Sequence, residues 1–235
     1  MERLDLLYRN RFSEEDRRLR QAIWKVLCER FFQRYIRETD TVLEIACGLG
    51  EFISNIKAAR KIAFDLNPDV ARLLPPDVEF HGKDARTLEG LTDGEVDVCF
   101  VSNFFEHLKS KDEMDELLGR IHRVLREGGR LVALQPNIRF APGEYWDFYD
   151  HHLPLSHRSC AEAFLKAGFE VEELVGRFLP FTTLSPLPKH PFFVRLYLQV
   201  RPAWRLLGRQ FLIVGRRGKK SETGVRGLDS SDGIV

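Results

Sequence analysis

The chain has 235 residues, 43% hydrophobic and 30% charged, the profile of a globular protein and not of a disordered or membrane-embedded one. No apolar run reaches the ~20 residues of a membrane span. The polar start MERLDLLYRNRF predicts no signal peptide, and four scattered cysteines without a C-x-x-C pair predict reduced thiols and a cytoplasmic setting. The formal net charge is +1, unevenly spread: residues 174–221 carry ten Lys and Arg and no acid, leaving a net −9 elsewhere. That asymmetry predicts an anionic partner for the C-terminal part.

In chain order, residues 13–37 read as a helix. Ser13 is its expected cap, acids fill its first turn, and Ile23, Leu27, Phe31 and Tyr35 form one apolar stripe. TVLEIA (41–46) is the first strand, EFISNIKAA a helix and KIAFD (61–65) the second strand. VEFHGKDA (78–85) holds the third strand, and VDVCFVS (96–102) is the fourth. DEMDELLGRIHRVLR (112–126) is an amphipathic helix that Gly128 and Gly129 should close, and RLVALQP (130–136) is the fifth strand. SCAEAFLKAGF is a helix ending at Gly168, followed by EVEELVG and QFLIVGR as the sixth and seventh strands. Apolar strands alternating with helices indicate a mostly parallel α/β sheet covered on both faces.

The stretch VLEIACGLGEF (42–52) runs from a strand into two glycines, Gly48 and Gly50. A dinucleotide fingerprint would need a third glycine where Ile53 stands, and a P-loop would need G-K-[ST] where Glu51 and Phe52 follow Gly50. What remains is Glu44, then A-C-G-L-G, with Asp65 after strand two, Asp84-Ala85 after strand three and VSNFFEHL ending strand four. This set resembles class I S-adenosylmethionine-dependent methyltransferases over about residues 12–180. Ala46 stands where the first motif of that family has a glycine. The EHL form looks most like the small-molecule branch related to quinone biosynthesis.

The resemblance implies a doubly wound, Rossmann-like seven-stranded sheet with the last strand antiparallel, and S-adenosylmethionine as cofactor. It implies cofactor contacts from Glu44, Ala46, Gly48, Gly50, Asp65, Leu66, Asp84, Ala85 and Asn103. Asp65 would take the ribose hydroxyls, the Asp84-Ala85 pair the adenine, and the loop with Asn103 the methionine end. The acceptor is expected to be a small molecule bound through an oxygen of a sugar, glycolipid or quinone-like group. Strand four lacks the proline-rich sequence of base amino-methylating enzymes, so nucleic acid is not expected.

His107 and His151 are the candidate proton acceptors. The loop EYWDFYDHHLPLSH (144–157) is rich in aromatic and imidazole side chains, and it offers Tyr145, Tyr149, His152 and His157 as candidate substrate contacts. Strands four and five are both expected beside strand one, so that both loops overhang the methyl group. His152, His157 and Cys160 suit no common zinc spacing, and no metal is expected. PFFVRLYLQVRPAWRLL (191–207) reads as a helix kinked or restarted at Pro202, with Phe193, Leu196, Tyr197, Val200, Trp204 and Leu207 on one face and Arg201, Arg205 and Arg209 on the other. It would pack over the cleft or touch an anionic membrane surface. The expected organisation is an N-terminal helical cap (1–40), the methyltransferase domain (41–215, with a helical insertion at about 189–208) and a disordered tail (216–235). A nicotinamide-dependent oxidoreductase and a non-catalytic binding module at a membrane surface are the alternatives.

Overall fold

The computed structural model describes residues 14–180 and 190–218. Seven strands form one sheet: β1 (Thr41–Ile45), β2 (Arg60–Phe64), β3 (Val78–His81), β4 (Val96–Ser102), β5 (Leu125–Pro136), β6 (Phe169–Val175) and β7 (Gln210–Arg217). Their order is β3-β2-β1-β4-β5-β7-β6. The first five run parallel, and β7 is antiparallel to both β5 and β6. Strand β4 pairs with β1, whereas β5 pairs with β4 and lies one strand further away than expected.

Side chains leave a strand alternately on its two faces, and here both faces are covered. On one face Leu43, Ile45, Cys99, Val101, Leu131 and Ile213 pack with helix α2 (Lys111–Val124) and helix α4 (His157–Lys166), between which the chain forms the short helix α3 (Pro142–Trp146). On the other, Val42, Val98, Phe100, Val132 and Leu212 pack with Leu27, Cys28 and Phe31 of the N-terminal segment. Double coverage is why these strands are apolar at every position and not at alternate ones. Helix α1 (Glu14–Arg30) thus shares one core with the sheet, and a 3-10 turn (Phe32–Tyr35) follows it. The expected cap Ser13 lies outside the described residues.

Three local expectations change. EFISNIKAA forms consecutive turns, not a regular helix. The Ile53 N–H is drawn to the Glu44 carboxylate at 3.0 Å, which diverts it from a helical carbonyl four residues back. Helix α2 is capped by Ser110 and ends at Val124, so Gly128 and Gly129 do not close it; they sit in a bulged stretch at the start of β5. A Cβ on Gly129 would come within 3.0 Å of the Asp97 carbonyl oxygen, which explains the second glycine. Strand β7 runs through Arg217, so the two arginines at 216 and 217 belong to the sheet; the rest of the expected tail beyond 218 lies outside the described residues.

Pro202 restarts the helix as expected. Helix α5 (Pro191–Gln199) ends at Val200, and α6 (Arg201–Leu207) begins there. The anticipated single apolar face is divided. Trp204 is 7% exposed and Tyr197 is partly buried in the core, whereas Phe193, at 45%, faces solvent with Phe192, Leu196, Val200 and Leu206. Among the described residues no helix is long and apolar enough to cross a membrane.

Candidate functional site

The C-terminal ends of β1, β2, β3, β4 and β5 share one edge of the sheet, together with the start of the antiparallel β7. Open α/β sheets bind ligands at such an edge. At the end of β1 the chain turns through Ala46 (φ 51°), Gly48 (φ 55°) and Gly50 (φ 70°). Three left-handed residues in five curl the backbone tightly. Ala46 therefore keeps the conformation of the glycine it replaces in the family motif and carries the associated strain.

A Cβ built on Gly48 meets nothing within 4 Å, so open space adjoins the loop there. Gly50 differs: its Cβ would fall 2.2 Å from Leu74 Cδ2.

Asp65, just after β2, clamps this loop. Its Oδ2 accepts from Gly48 N–H at 2.8 Å and its Oδ1 from Asn67 N–H at 2.9 Å. Burial raises its pKa despite these bonds. Each carboxylate oxygen retains acceptor capacity for a further donor. Leu66 follows with 58% exposure, an apolar side chain standing at the same edge.

Glu44 lies beneath the loop, buried, and burial first, then the nearby acids Glu51 and Asp65, hold its pKa well above the carboxylate range. Glu51 in turn pairs with Arg20 of α1 at 2.7 Å, tying the N-terminal helix to the glycine loop. Asp84 is engaged by Arg86, whose Nη2 donates at 2.6 Å and holds the Asp84 pKa below its usual value. The neighbouring Ala85 is buried.

Beyond β4 the backbone turns at Asn103 (φ 48°), a residue type that tolerates this region. Two glutamines hold the turn. Gln210, at the start of β7, donates to Asn103 Oδ1 at 2.6 Å, and Gln135, near the end of β5, accepts from Phe104 N–H at 3.1 Å. Both are buried. Sequence reasoning missed them; the available signal was a lone amide at the edge-side end of an otherwise apolar strand.

The same turn presents Glu106 and His107. The His107 Nδ1 lies 2.9 Å from the carbonyl oxygen of Asp150. A carbonyl only accepts, so Nδ1 carries the proton and Nε2 presents its lone pair. His151 is buried, edge-on to His107 with ring centroids 5.1 Å apart and stacked on Phe148. Glu106 is 2% exposed, its Oε2 has no hydrogen-bond partner among the described residues, and burial raises its pKa to about 8. Glu106 also escaped the sequence reading, since a glutamate beside a histidine says nothing about its burial.

The aromatic loop does not converge as a set. Tyr145 is fully buried and its hydroxyl donates to the Leu153 carbonyl, bracing the loop from inside. Tyr149 is 99% exposed and His152 is exposed. His157 begins α4, where Asn137 Nδ2 donates to its Nδ1 at 3.0 Å and Phe140 stacks on its ring. Of the histidines in this loop, His151 is the one brought against His107. All four cysteines are free and buried, and burial pushes their thiols up.

Residues 43–133 match the family model described as a methyltransferase domain. That span holds β1 to β4, the glycine loop, Asp65, Asp84 and the His107 turn. Among curated protein sequences, none matches the chain. Similar solved structures include a SAM-dependent methyltransferase from Archaeoglobus fulgidus, with 20% identity, 83% of this chain and 94% of that chain covered and a TM-score of 0.62. A chain of the Haloferax volcanii complex between the Trm112 methyltransferase activator and its partner methyltransferase has 18% identity, coverages of 89% and 95%, and a TM-score of 0.66. A geranyl diphosphate methyltransferase in complex with SAM has 16% identity, coverages of 82% and 85%, and a TM-score of 0.59. At these identities the structures establish the fold, and the family model over residues 43–133 favours methyl transfer over the nicotinamide alternative. The family match over residues 43–133 and the shared fold together support an S-adenosylmethionine-dependent methyltransferase.

Proposed function

We propose that the enzyme methylates an oxygen of a small-molecule acceptor, such as a sugar, glycolipid or quinone-like hydroxyl. The observation that carries this reading is the placement of the His107 lone pair one strand away from the glycine loop clamped by Asp65. In this reading S-adenosylmethionine lies across the ends of β1, β2 and β3. Gly48 and Gly50 let it approach the backbone, with Glu44 and Ala46 shaping the loop from below. Asp65 takes the ribose hydroxyls, Leu66 and Ala85 offer apolar contact to the adenine, and Asp84 supports that wall through Arg86. Asn103 borders the methionine end.

The methyl carbon is already electrophilic on sulfonium sulfur, so the protein's main task is to hold the acceptor oxygen in line, about 3–3.5 Å behind it. A hydroxyl must also lose a proton, and His107, oriented through Asp150, is placed to receive it, with His151 beside it. Tyr149 and His152, exposed on the loop after β5, are available to a bound acceptor. Tyr145 and His157 act through the shape of that loop.

The test is turnover of methyl-labelled S-adenosylmethionine with candidate hydroxyl compounds, with products identified by mass spectrometry. Label in oxygen-linked methyl groups, lost in His107→Ala with cofactor affinity retained, supports the reading. Label on nitrogen or carbon refutes the oxygen assignment.

A second feature concerns where the enzyme works. Phe192, Phe193, Leu196, Val200 and Leu206 are exposed on α5 and α6 together with Arg195, Arg201 and Arg205. Exposed aromatic and aliphatic groups among arginines suit contact with an anionic membrane surface.

A further inference from the structure

The end of β4 and the loop after β5 bring two neighbours in sequence, Glu106 and His107, together with the distant His151. Glu106, His107 and His151 each offer one ligand atom, and these atoms lie within 4.8 Å of one another. The geometry points to a binding site for one divalent transition-metal ion, held by Glu106, His107 and His151 at the acceptor side of the cleft.

Three observations carry it. Glu106 is 2% exposed, and its Oε2 is buried without a hydrogen-bond partner among the described residues. A buried carboxylate oxygen in that position is costly unless a donor or a cation meets it. His107 is arranged as metal-binding histidines commonly are: one ring nitrogen donates to a carbonyl, here that of Asp150 at 2.9 Å, which leaves the other lone pair for a cation. His151 is fixed in orientation by Phe148 stacked at 4.9 Å and Tyr145 edge-on at 4.9 Å.

Two imidazoles and one carboxylate suit zinc, iron or manganese over calcium and magnesium, which take oxygen-rich shells. Bond lengths of about 2.0–2.2 Å put ligand atoms roughly 3.0–3.5 Å apart, so side-chain rotations would draw the three groups in from separations of up to 4.8 Å. Three protein ligands leave at least one coordination position open.

The consequence for catalysis rests on the acceptor reading above, and it changes His107 from proton acceptor to ligand. An acceptor hydroxyl entering the open position would be polarised and lose its proton to solvent. Its oxygen then forms the new bond to the methyl carbon as the carbon–sulfur bond breaks, and the electron pair stays on sulfur to give neutral S-adenosylhomocysteine.

The test uses the full-length protein and cobalt(II) as a spectroscopic probe. Visible absorption is titrated alongside equilibrium dialysis, and S-adenosylmethionine affinity is measured by calorimetry on the same samples. The expected result is one ion per chain with absorption bands of a nitrogen- and oxygen-ligated site. Glu106→Gln, His107→Ala and His151→Ala should each weaken cobalt binding at least about tenfold, while His122→Ala, outside the cluster, leaves it unchanged. If Glu106→Gln does not fold by thermal melting, the two histidine variants carry the comparison. No stoichiometric binding, or binding that the three variants do not weaken, overturns the site. Loss of S-adenosylmethionine binding in the wild type would instead refute the cofactor reading, whatever cobalt does, so the two failures are distinguishable.

Discussion

Replacing Gly48 by alanine separates the needs of the fold from those of the cofactor. Gly48 has φ 55°, and a Cβ there meets nothing within 4 Å. The fold therefore loses only the left-handed preference of glycine, about 1–2 kcal/mol, partly offset by a more restricted unfolded chain, roughly 0.4–1 kcal/mol. A net destabilisation of about 1 kcal/mol should lower the Tm by roughly 2–4 °C in a chain of this size. Ala46, already at φ 51° two residues earlier, indicates that the loop accommodates such strain.

The space open to that Cβ is the space S-adenosylmethionine is proposed to fill. Calorimetry should therefore show a much larger effect on affinity than on stability: at least tenfold weaker binding, about 1.4 kcal/mol or more. Gly50→Ala should reverse the emphasis and destabilise the fold more than Gly48→Ala, because its Cβ falls 2.2 Å from Leu74. A Gly48→Ala protein with the expected small drop in Tm and unchanged S-adenosylmethionine affinity would refute the placement of the cofactor against this loop.

Asp65→Ala should weaken S-adenosylmethionine binding by roughly 1.5–3 kcal/mol, the range for a hydrogen bond to a charged group; calorimetry with unchanged affinity would remove Asp65 from the ribose site. Glu44 supplies a pH signature. Its folded pKa is raised above its unfolded value by burial, so the fold binds the proton more tightly, and Glu44 adds stability as pH falls through the raised value toward the ordinary carboxylate range. Glu44→Gln should flatten that part of the stability curve while keeping an acceptor for Ile53 N–H, and identical pH slopes in denaturant melts would contradict it. On the membrane question, wild type should pellet with anionic vesicles at low salt and be released at high salt, and Phe193→Ser with Arg205→Glu should abolish pelleting. Absence of pelleting at either salt concentration would rule out this surface.

Much of the architecture was legible in the linear chain because it depends on short-range chemistry. Strands such as VDVCFVS are apolar at successive positions, which only a doubly covered sheet requires, and the restart at Pro202 follows from its missing N–H. The family motif was likewise readable, since Glu44, Gly48, Gly50 and Asp65 fall at successive strand ends. The glycine loop exposed the limit of periodicity. The apolar spacing of Phe52, Ile53 and Ile56 suits a helix, yet a carboxylate nine residues earlier takes the Ile53 N–H, a bond that periodicity cannot register.

Tertiary structure alone decided what faces what. Tyr145 and His151 are six residues apart in one aromatic loop, but the loop folds back so that the Tyr145 hydroxyl is spent on Leu153 while His151 is carried against His107, forty-four residues away in sequence. Glu106 became noteworthy only once its carboxylate was found sealed beside them. Phe193 and Trp204 lie on one helical stripe in the sequence, yet the break at Val200 sends the tryptophan into the core and leaves the phenylalanine in solvent. Local propensity sets where elements begin and end, whereas the burial and pairing of a polar group depend on which distant segment the fold lays over it.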